Sequence, residues 1–313
     1  MKRPFFCFLL TLLLITLFIP GGCREPEKKP VKEYRYQEPE ITLYDNNTGE
    51  KKRIKMEEYI AGVVAAEMEP SWPVEALAAQ SILARTFTLH KIKYEKGVPQ
   101  RGADASTSTE EFQAYDPSRI TPRVREAVKR TRGEVIKYKG KYIRAWFHSN
   151  AGGKTATAEE GLAFKKEATP YIQSVTDPGQ KVADPDDQEW TATFTLDEVR
   201  SAVIKQAGKD PGQISSVSIV KKGPSGRAMT VRLGNVEISG PALRLGLGPE
   251  RMRSTLLDRI AVEGGTLQMA GRGFGHGVGM SQWGAYYMAK EGKTHTDIIH
   301  YYFKDVEIEK IWE

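Results

Sequence analysis

Cysteine is nearly absent from this chain. The 313 residues include only two, Cys7 and Cys23, both within the first 23 positions. The remainder can form neither a disulfide framework nor a cysteine-based zinc site. Long apolar runs are as scarce. Only Phe5–Ile19 qualifies, which excludes a polytopic membrane protein. The 5 histidines, His90, His148, His276, His295 and His300, form no His-Glu-x-x-His pattern or other standard metal spacing. A zinc hydrolase built on His148 and His276 would need a carboxylate from elsewhere. There is no Gly-x-Ser-x-Gly elbow. A Walker-type phosphate loop would need glycine five residues before Gly153, where His148 stands. Charge of one sign is not abundant either: 46 Lys and Arg face 40 Asp and Glu, a net +6. That small excess suits nucleic acid, anionic lipid or cell-wall polymer and chooses none of them. A 40% hydrophobic and 27% charged chain has the composition of a globular protein, not a disordered one.

What is present falls into four stretches. Residues 1–23 combine a basic start with the apolar run and end in Pro20-Gly21-Gly22-Cys23. This reads as a signal peptide or membrane anchor with the body outside the cytoplasm. Small residues before Cys23 resemble a lipoprotein cleavage box, with Pro20 departing from the usual pattern. Lipidation at Cys23 and an uncleaved anchor both remain open. Residues 24–40, rich in Lys, Glu and Pro, read as a charged linker. The folded part is expected to be α+β, with helices packed on antiparallel strands. Residues 41–183 and 263–313 would form one domain, and 184–262 a smaller inserted α+β subdomain.

Within the body, the pattern predicts a hairpin over 41–55, a helix from Met56, and a buried Ala-rich helix from about Trp72 to Tyr94. Hairpins are expected at 134–147 and 217–233, short helical pieces at 241–248 and 251–256, and a strand at 266–270. A helix is expected from Ser281 to Lys290, capped by Ser281, and another from about Thr296.

Ile60, Val63, Val64 and Glu67 fall at i, i+3, i+4, i+7, which places a carboxyl on an apolar helix stripe. Burial there raises a carboxyl pKa and suits a general acid. The alternative is a structural Glu paired with a buried cation, for which Arg85 is the obvious partner. Gln80 and Arg85 are polar residues in an otherwise apolar helix. They would line a cleft or close a buried network. His148-Ser149-Asn150-Ala151-Gly152-Gly153 suggests a tight turn with exposed amides. Glycine alternates from Gly271 to Gly279. In an extended chain one face would be bare, open to another backbone or a flat ligand. His276 and Gln282 flank that stretch.

Several blocks together resemble the stage II sporulation protein D family, the SpoIID/LytB domain. They are Glu58-Tyr59-Ile60-Ala61-Gly62-Val63-Val64-Ala65-Ala66-Glu67-Met68, Glu75-Ala76-Leu77 with Ala79-Gln80 and Ala84-Arg85-Thr86, Phe147-His148-Ser149 with Gly152-Gly153-Lys154-Thr155, and Gly273 through Ala285. Ser239 through Arg244 resembles the family's inserted segment. The resemblance implies a peptidoglycan-active protein held outside the membrane. Sporulation members are lytic transglycosylases of glycan stripped of stem peptides, whereas LytB-type relatives enhance a cell-wall amidase. The family's catalytic Glu falls on Glu67. Gln80, Arg85, His148, Ser149, Gly152, Gly153, Gly275, His276, Gly277, Ser281 and Gln282 would bind substrate. Implied partners are glycan strands, an amidase and sporulation membrane proteins, with no nucleic acid. Two departures stand out. Ala78 replaces a frequent Lys, and Glu111-Phe112 precede Gln113-Ala114-Tyr115 where some relatives place zinc-binding Cys and His. No metal or cofactor is therefore expected, and packing should hold that loop.

Overall fold

The computed structural model describes residues 37–313. The anchor segment, the tentative lipidation at Cys23 and most of the linker lie outside the described residues. In chain order the body begins with strands β1 (Glu40–Tyr44) and β2 (Lys51–Lys55), then helices α1 (Met56–Glu67) and α2 (Val74–Glu95). Strand β3 (Ala105–Ser106), helix α3 (Pro122–Arg130) and strands β4 (Glu134–Tyr138), β5 (Lys141–Tyr142) and β6 (Phe147–His148) follow. Next come α4 (Ala158–Leu162), α5 (Pro185–Gln188), β7 (Glu189–Thr195) and α6 (Leu196–Ala207). Then β8 (Val217–Lys222), β9 (Ala228–Leu233), β10 (Val236–Ser239), α7 (Gly240–Leu247), β11 (Leu257–Glu263) and β12 (Thr266–Arg272). The chain closes with β13 (Met280–Ser281), α8 (Gln282–Lys290), α9 (His295–Tyr302) and β14 (Glu307–Lys310). The fold is α+β, with small, mostly antiparallel sheets among the described residues.

Helix α2 is the centre. Ala76–Ala79 and Ile82–Ala84 have no exposed surface. Small alanines let α1, α3, α8 and α9 pack around it. Its buried hydroxyls, Ser81, Thr86 and Thr88, return to carbonyls one turn back at 2.7–2.8 Å. That is how a polar residue survives inside an apolar helix. Lys96, with φ 62°, ends the helix.

Two apolar cores form. One draws on Ile41–Ile172 and Val278–Trp312, the other only on Trp190–Met269. The second core's sheet runs β11-β12-β7. Strand β12 pairs antiparallel with β7 from Thr266↔Thr195 to Arg272↔Glu189, so this segment enters and leaves side by side.

Several local expectations need correction. The strand at 266–270 does not join the flanking domain, because Leu267 and Met269 sit in the second core. The expected hairpin arm 142–147 breaks up. Of that arm only the β5 stretch pairs with β4, whose other edge takes β14, and β6 instead pairs in parallel with β13. Residues 251–256 are not helical, and β10, β11 and β14 were not anticipated. The linker ends before residue 40. The Glu38 carboxylate accepts from Glu57 N–H at 3.0 Å and pairs with Arg132, and Pro39 C=O accepts from Met56 N–H at 2.9 Å.

Candidate functional site

Glu67 is the last residue of α1, where helix carbonyls lack intrahelical partners. The Gln282 amide supplies one, donating from Nε2 to Glu67 C=O at 3.0 Å. The Glu67 side chain is half-buried. Its Oε1 accepts from Ala114 N–H at 2.8 Å, and no cation pairs with it among the described residues. Burial raises its pKa from 4.5 to about 7, opposed in part by the Ala114 hydrogen bond. The carboxyl is therefore poised to be protonated near neutrality.

Arg85 is not its partner. The guanidinium is fully buried and donates to Glu57 at 2.6 and 3.2 Å and to Glu134 C=O at 2.9 Å. With those bonds made it does not face a ligand cleft, so its expected binding role is corrected to a structural one. Gln80 is also fully buried, and its amide atoms find no partner among the described residues.

The loop carrying Ala114 is held by packing. Phe112 meets Tyr59 and Phe87 edge-on, with centroids 6.5 and 5.3 Å apart. The Tyr115 ring stacks on Tyr59 at 5.5 Å and covers Gly62, where any side chain would collide with it. Arg101 anchors Glu111 at 2.9 Å.

The β6–β13 pair sets His148 beside Ser281. The His148 ring is buried with Nδ1 3.2 Å from Val278 C=O, which assigns the proton to Nδ1. Val278 N–H donates to His276 Nδ1 at 3.0 Å, which assigns the opposite tautomer there. Burial lowers both pKa values, that of His276 to about 3, with Arg227 and Arg244 adding repulsion. Both rings are neutral and serve as hydrogen-bonding groups, not as acids.

Ser149 Oγ donates to Asp187 at 2.9 Å, and Trp283 Nε1 donates to the same oxygen at 2.8 Å. Trp283, next to the Gln282 that holds the Glu67 carbonyl, packs on Trp72 at 4.6 Å and on Tyr286 at 5.6 Å, forming an aromatic wall. A cavity of about 670 Å³ is lined by Glu69, Ser71, Arg119 and Arg123, and neither Glu67 nor the aromatic wall lines it. Ser281 caps α8, as anticipated, accepting from Gly284 N–H at 3.2 Å while donating to buried Asp177 at 3.1 Å. Tyr302 donates to Asp177 at 2.6 Å. Burial raises the Asp177 pKa against these hydrogen bonds. Asp177, Asp187, Trp72 and the Ala114 amide were missed in the sequence because their partners lie far away along the chain.

The alternating glycines do not form a bare strand face. Gly273, Gly275, Gly277 and Gly279 have φ of 76°, 109°, 80° and 74°. The space beside them is filled by the protein. A Cβ on Gly273 would lie 2.6 Å from Asn150 O, and one on Gly275 2.7 Å from His148 Cβ. On Gly277 it would overlap the Arg227 guanidinium, and on Gly279 the Trp146 carbonyl. Gly152 is likewise covered, by Leu256 and Arg272, and its N–H is taken by Asn150 at 3.0 Å. Of the glycines expected to bind substrate, only Gly153 faces open space. Gly152 and Gly277 are buried and shape the loops without presenting a surface to ligand, while Gly275 is partly exposed with its Cβ side closed by His148. Gly279→Ala should cost about 2–3 kcal/mol through left-handed strain and the carbonyl clash. Urea denaturation checks this, and an unchanged midpoint would contradict the packing described.

A buried cluster joins the two cores. Glu160 accepts from Ser225 N–H at 3.0 Å, Ser225 Oγ at 2.7 Å and Arg227 N–H at 3.2 Å. The Arg227 guanidinium donates to Lys154 and Ala151 carbonyls, each at 2.7 Å. Burial lowers its pKa to about 10.

Residues 44–138 match a family described as Stage II sporulation protein, and residues 184–279 match a domain of unknown function. Stage II sporulation protein D of Bacillus amyloliquefaciens is 32% identical over 96% of this chain and 93% of its own. That of Bacillus subtilis (strain 168) is 31% identical over 91% and 83%. An amidase enhancer of Bacillus subtilis (strain 168) is 24% identical over 78% of this chain but only 39% of its own. Identity of this extent along nearly the whole of both chains means that the protein belongs to the SpoIID family of sporulation-related, peptidoglycan-acting cell-wall proteins.

Proposed function

We propose that the protein is a lytic transglycosylase acting outside the membrane on peptidoglycan strands already stripped of stem peptides. The observation that carries this reading is the Glu67 carboxyl, which no cation pairs with among the described residues and whose pKa is raised to about 7 by burial. Protonated Glu67 donates to the glycosidic oxygen between N-acetylmuramic acid and N-acetylglucosamine. The bond breaks through an oxocarbenium-like state. Glu67, now a carboxylate, takes the proton of the muramic 6-hydroxyl, whose oxygen closes on C1 as a 1,6-anhydro ring. One carboxyl serves both steps because the nucleophile is internal, whereas ordinary glycosidases need two. The aromatic wall of Trp72, Trp283 and Tyr286 suits the apolar faces of sugar rings. Ser149 and His276, both partly exposed, suit hydroxyl and acetamido groups.

The acid form of Glu67 starts the reaction, so activity follows its protonated fraction. We expect kcat/KM to be level well below pH 7 and to fall about tenfold per pH unit above it. A pH profile on denuded strands checks this. Activity that still rises through pH 8 would contradict Glu67 as the acid.

A second reading, a non-catalytic enhancer of an amidase, draws on the likeness to the amidase enhancer. It predicts that the purified protein binds glycan and stimulates an amidase while cutting nothing itself.

A further inference from the structure

The far end of α2 carries a second, separate cavity. Its volume is about 310 Å³, and four tyrosines (Tyr94, Tyr138, Tyr142, Tyr171) line it with Lys141, Arg144, His90 and the acidic Glu167. Helix α2 runs from Val74, next to the Glu67 end of α1, to Glu95. Its 22 residues span about 33 Å, but Gln113 reaches Thr88 on α2 at 3.1 Å while the adjoining Ala114 N–H reaches Glu67 at 2.8 Å, so this cavity, which His90 also lines, is on the order of 20 Å from the candidate active site. None of its residues takes part in the chemistry described above.

Of the four tyrosines, Tyr94, Tyr138 and Tyr142 reach the surface, while Tyr171 is buried with its hydroxyl accepting from Arg144 N–H at 3.0 Å. Tyr94 is 42% exposed and meets Tyr142 edge-on at 6.4 Å, while Tyr138 meets Tyr171 at 5.4 Å. Such rings offer flat apolar area with a polar rim, which suits the faces of a pyranose. The cavity is within the size range of small-ligand sites. The surroundings are basic. Lys93 stands 5.5 Å from the Tyr94 ring and 5.3 Å from the Tyr142 ring, and Lys139 5.3 Å from Tyr138. Arg144 is neutralised by Glu95 and Glu167, and Lys137 by Glu309. Lys93, Lys139 and Lys141 have no carboxylate within ion-pair distance among the described residues. Burial holds His90 neutral, with its pKa down to about 4, so the positive charge here belongs to the lysines.

Aromatic rings beside ammonium groups that no carboxylate among the described residues neutralises select a ligand with both sugar rings and negative charge. A glycan without stem peptides has both, since each muramic residue then bears a free lactyl carboxylate. We propose that this tyrosine–lysine cavity is a second binding site for the anionic glycan strand, holding a part of the polymer remote from the bond being cut. The inference rests on the glycan reading of the previous subsection. Two linked contacts raise apparent affinity for long strands and leave short ones unaffected.

The test uses full-length protein carrying Glu67→Gln, which binds without cutting, and long denuded strands beside a tetrasaccharide. Adding Tyr94→Ala with Lys141→Glu, both exposed positions, should weaken long-strand binding about tenfold or more and leave tetrasaccharide binding unchanged. Lys93→Glu should act in the same direction, and amidating the lactyl carboxyls should reproduce the loss in the unsubstituted site. Equal affinity for long strands in the variants would overturn the proposal, as would equal loss on the tetrasaccharide. Retained glycan binding with lost stimulation of an amidase would also overturn it, and would identify a protein-docking surface instead. The two readings fail separately. A wild-type protein that holds long strands through this cavity but never cuts them refutes the transglycosylase and leaves the second site standing.

Discussion

Glu67→Gln should abolish strand cleavage while leaving the fold intact, with a loss of about three to four orders of magnitude in kcat. Glutamine has the same shape and keeps a side-chain oxygen for the Ala114 N–H, now at 2.8 Å from Oε1. The Gln282 amide binds the backbone carbonyl of residue 67, so it does not respond to the substitution. What disappears is the transferable proton, and with it both the acid and the base step. The same change should stabilise the fold at alkaline pH. The Glu67 pKa is raised on folding, from 4.5 to about 7, so the folded state favours the protonated form. Its favourable contribution is complete below about pH 4.5 and is lost as pH rises to about 7. Above that, ionised Glu67 costs the native state about 1–3 kcal/mol, discounted because the carboxyl keeps some solvent contact. Urea denaturation at pH 5 and pH 8 should show the variant gaining on wild type with pH. A variant that cuts strands at the wild-type rate would remove Glu67 from the mechanism.

The largest loss of stability should come from a different glutamate on the same helix. Glu57 accepts four hydrogen bonds: Arg85 at 2.6 and 3.2 Å, Gly133 N–H at 3.0 Å and Trp312 Nε1 at 2.8 Å. It ties α1 to α2, to the turn before β4 and to the C-terminus. Glu57→Ala leaves a buried guanidinium without its counter-charge, holding only Glu134 C=O, and two further donors without partners. The expected cost is about 3–5 kcal/mol, because breaking one half of a buried pair strands the other charge. For a domain of this size that lowers Tm by about 10 °C. Arg85→Met should also destabilise, and the protein that remains folded should keep its activity. A thermal melt beside a cleavage assay decides the point. An Arg85→Met protein of normal stability but impaired glycan binding would return Arg85 to the substrate site.

That pair also shows why the sequence was legible in some places and not in others. Glu67 stood out because helical spacing is local: an apolar stripe with one carboxyl on it can be read in a dozen residues. The same is true of the β1–β2 hairpin, the buried α2 and the Ser281 cap. The partner of Arg85 was misread because it depends on how α1 and α2 are aligned. Antiparallel packing sets the middle of α2 level with the first turn of α1, so Arg85 meets Glu57. Asp177 and Asp187 lie in ordinary polar turns, and only the fold brings them to Ser281, Ser149 and Trp283. The glycine run was conspicuous, yet its reason was not. Periodicity suggested an open face, whereas positive φ at every second residue lets His148, Arg227 and Trp146 close in.

The most direct test of the central claim is mass spectrometry of the products made by the purified full-length protein from denuded glycan strands. The mechanism predicts fragments ending in 1,6-anhydro-N-acetylmuramic acid, with no new reducing ends and none formed by Glu67→Gln. Fragments ending in reducing N-acetylmuramic acid would mean hydrolysis by water, and intact strands would mean that the protein is not the enzyme proposed.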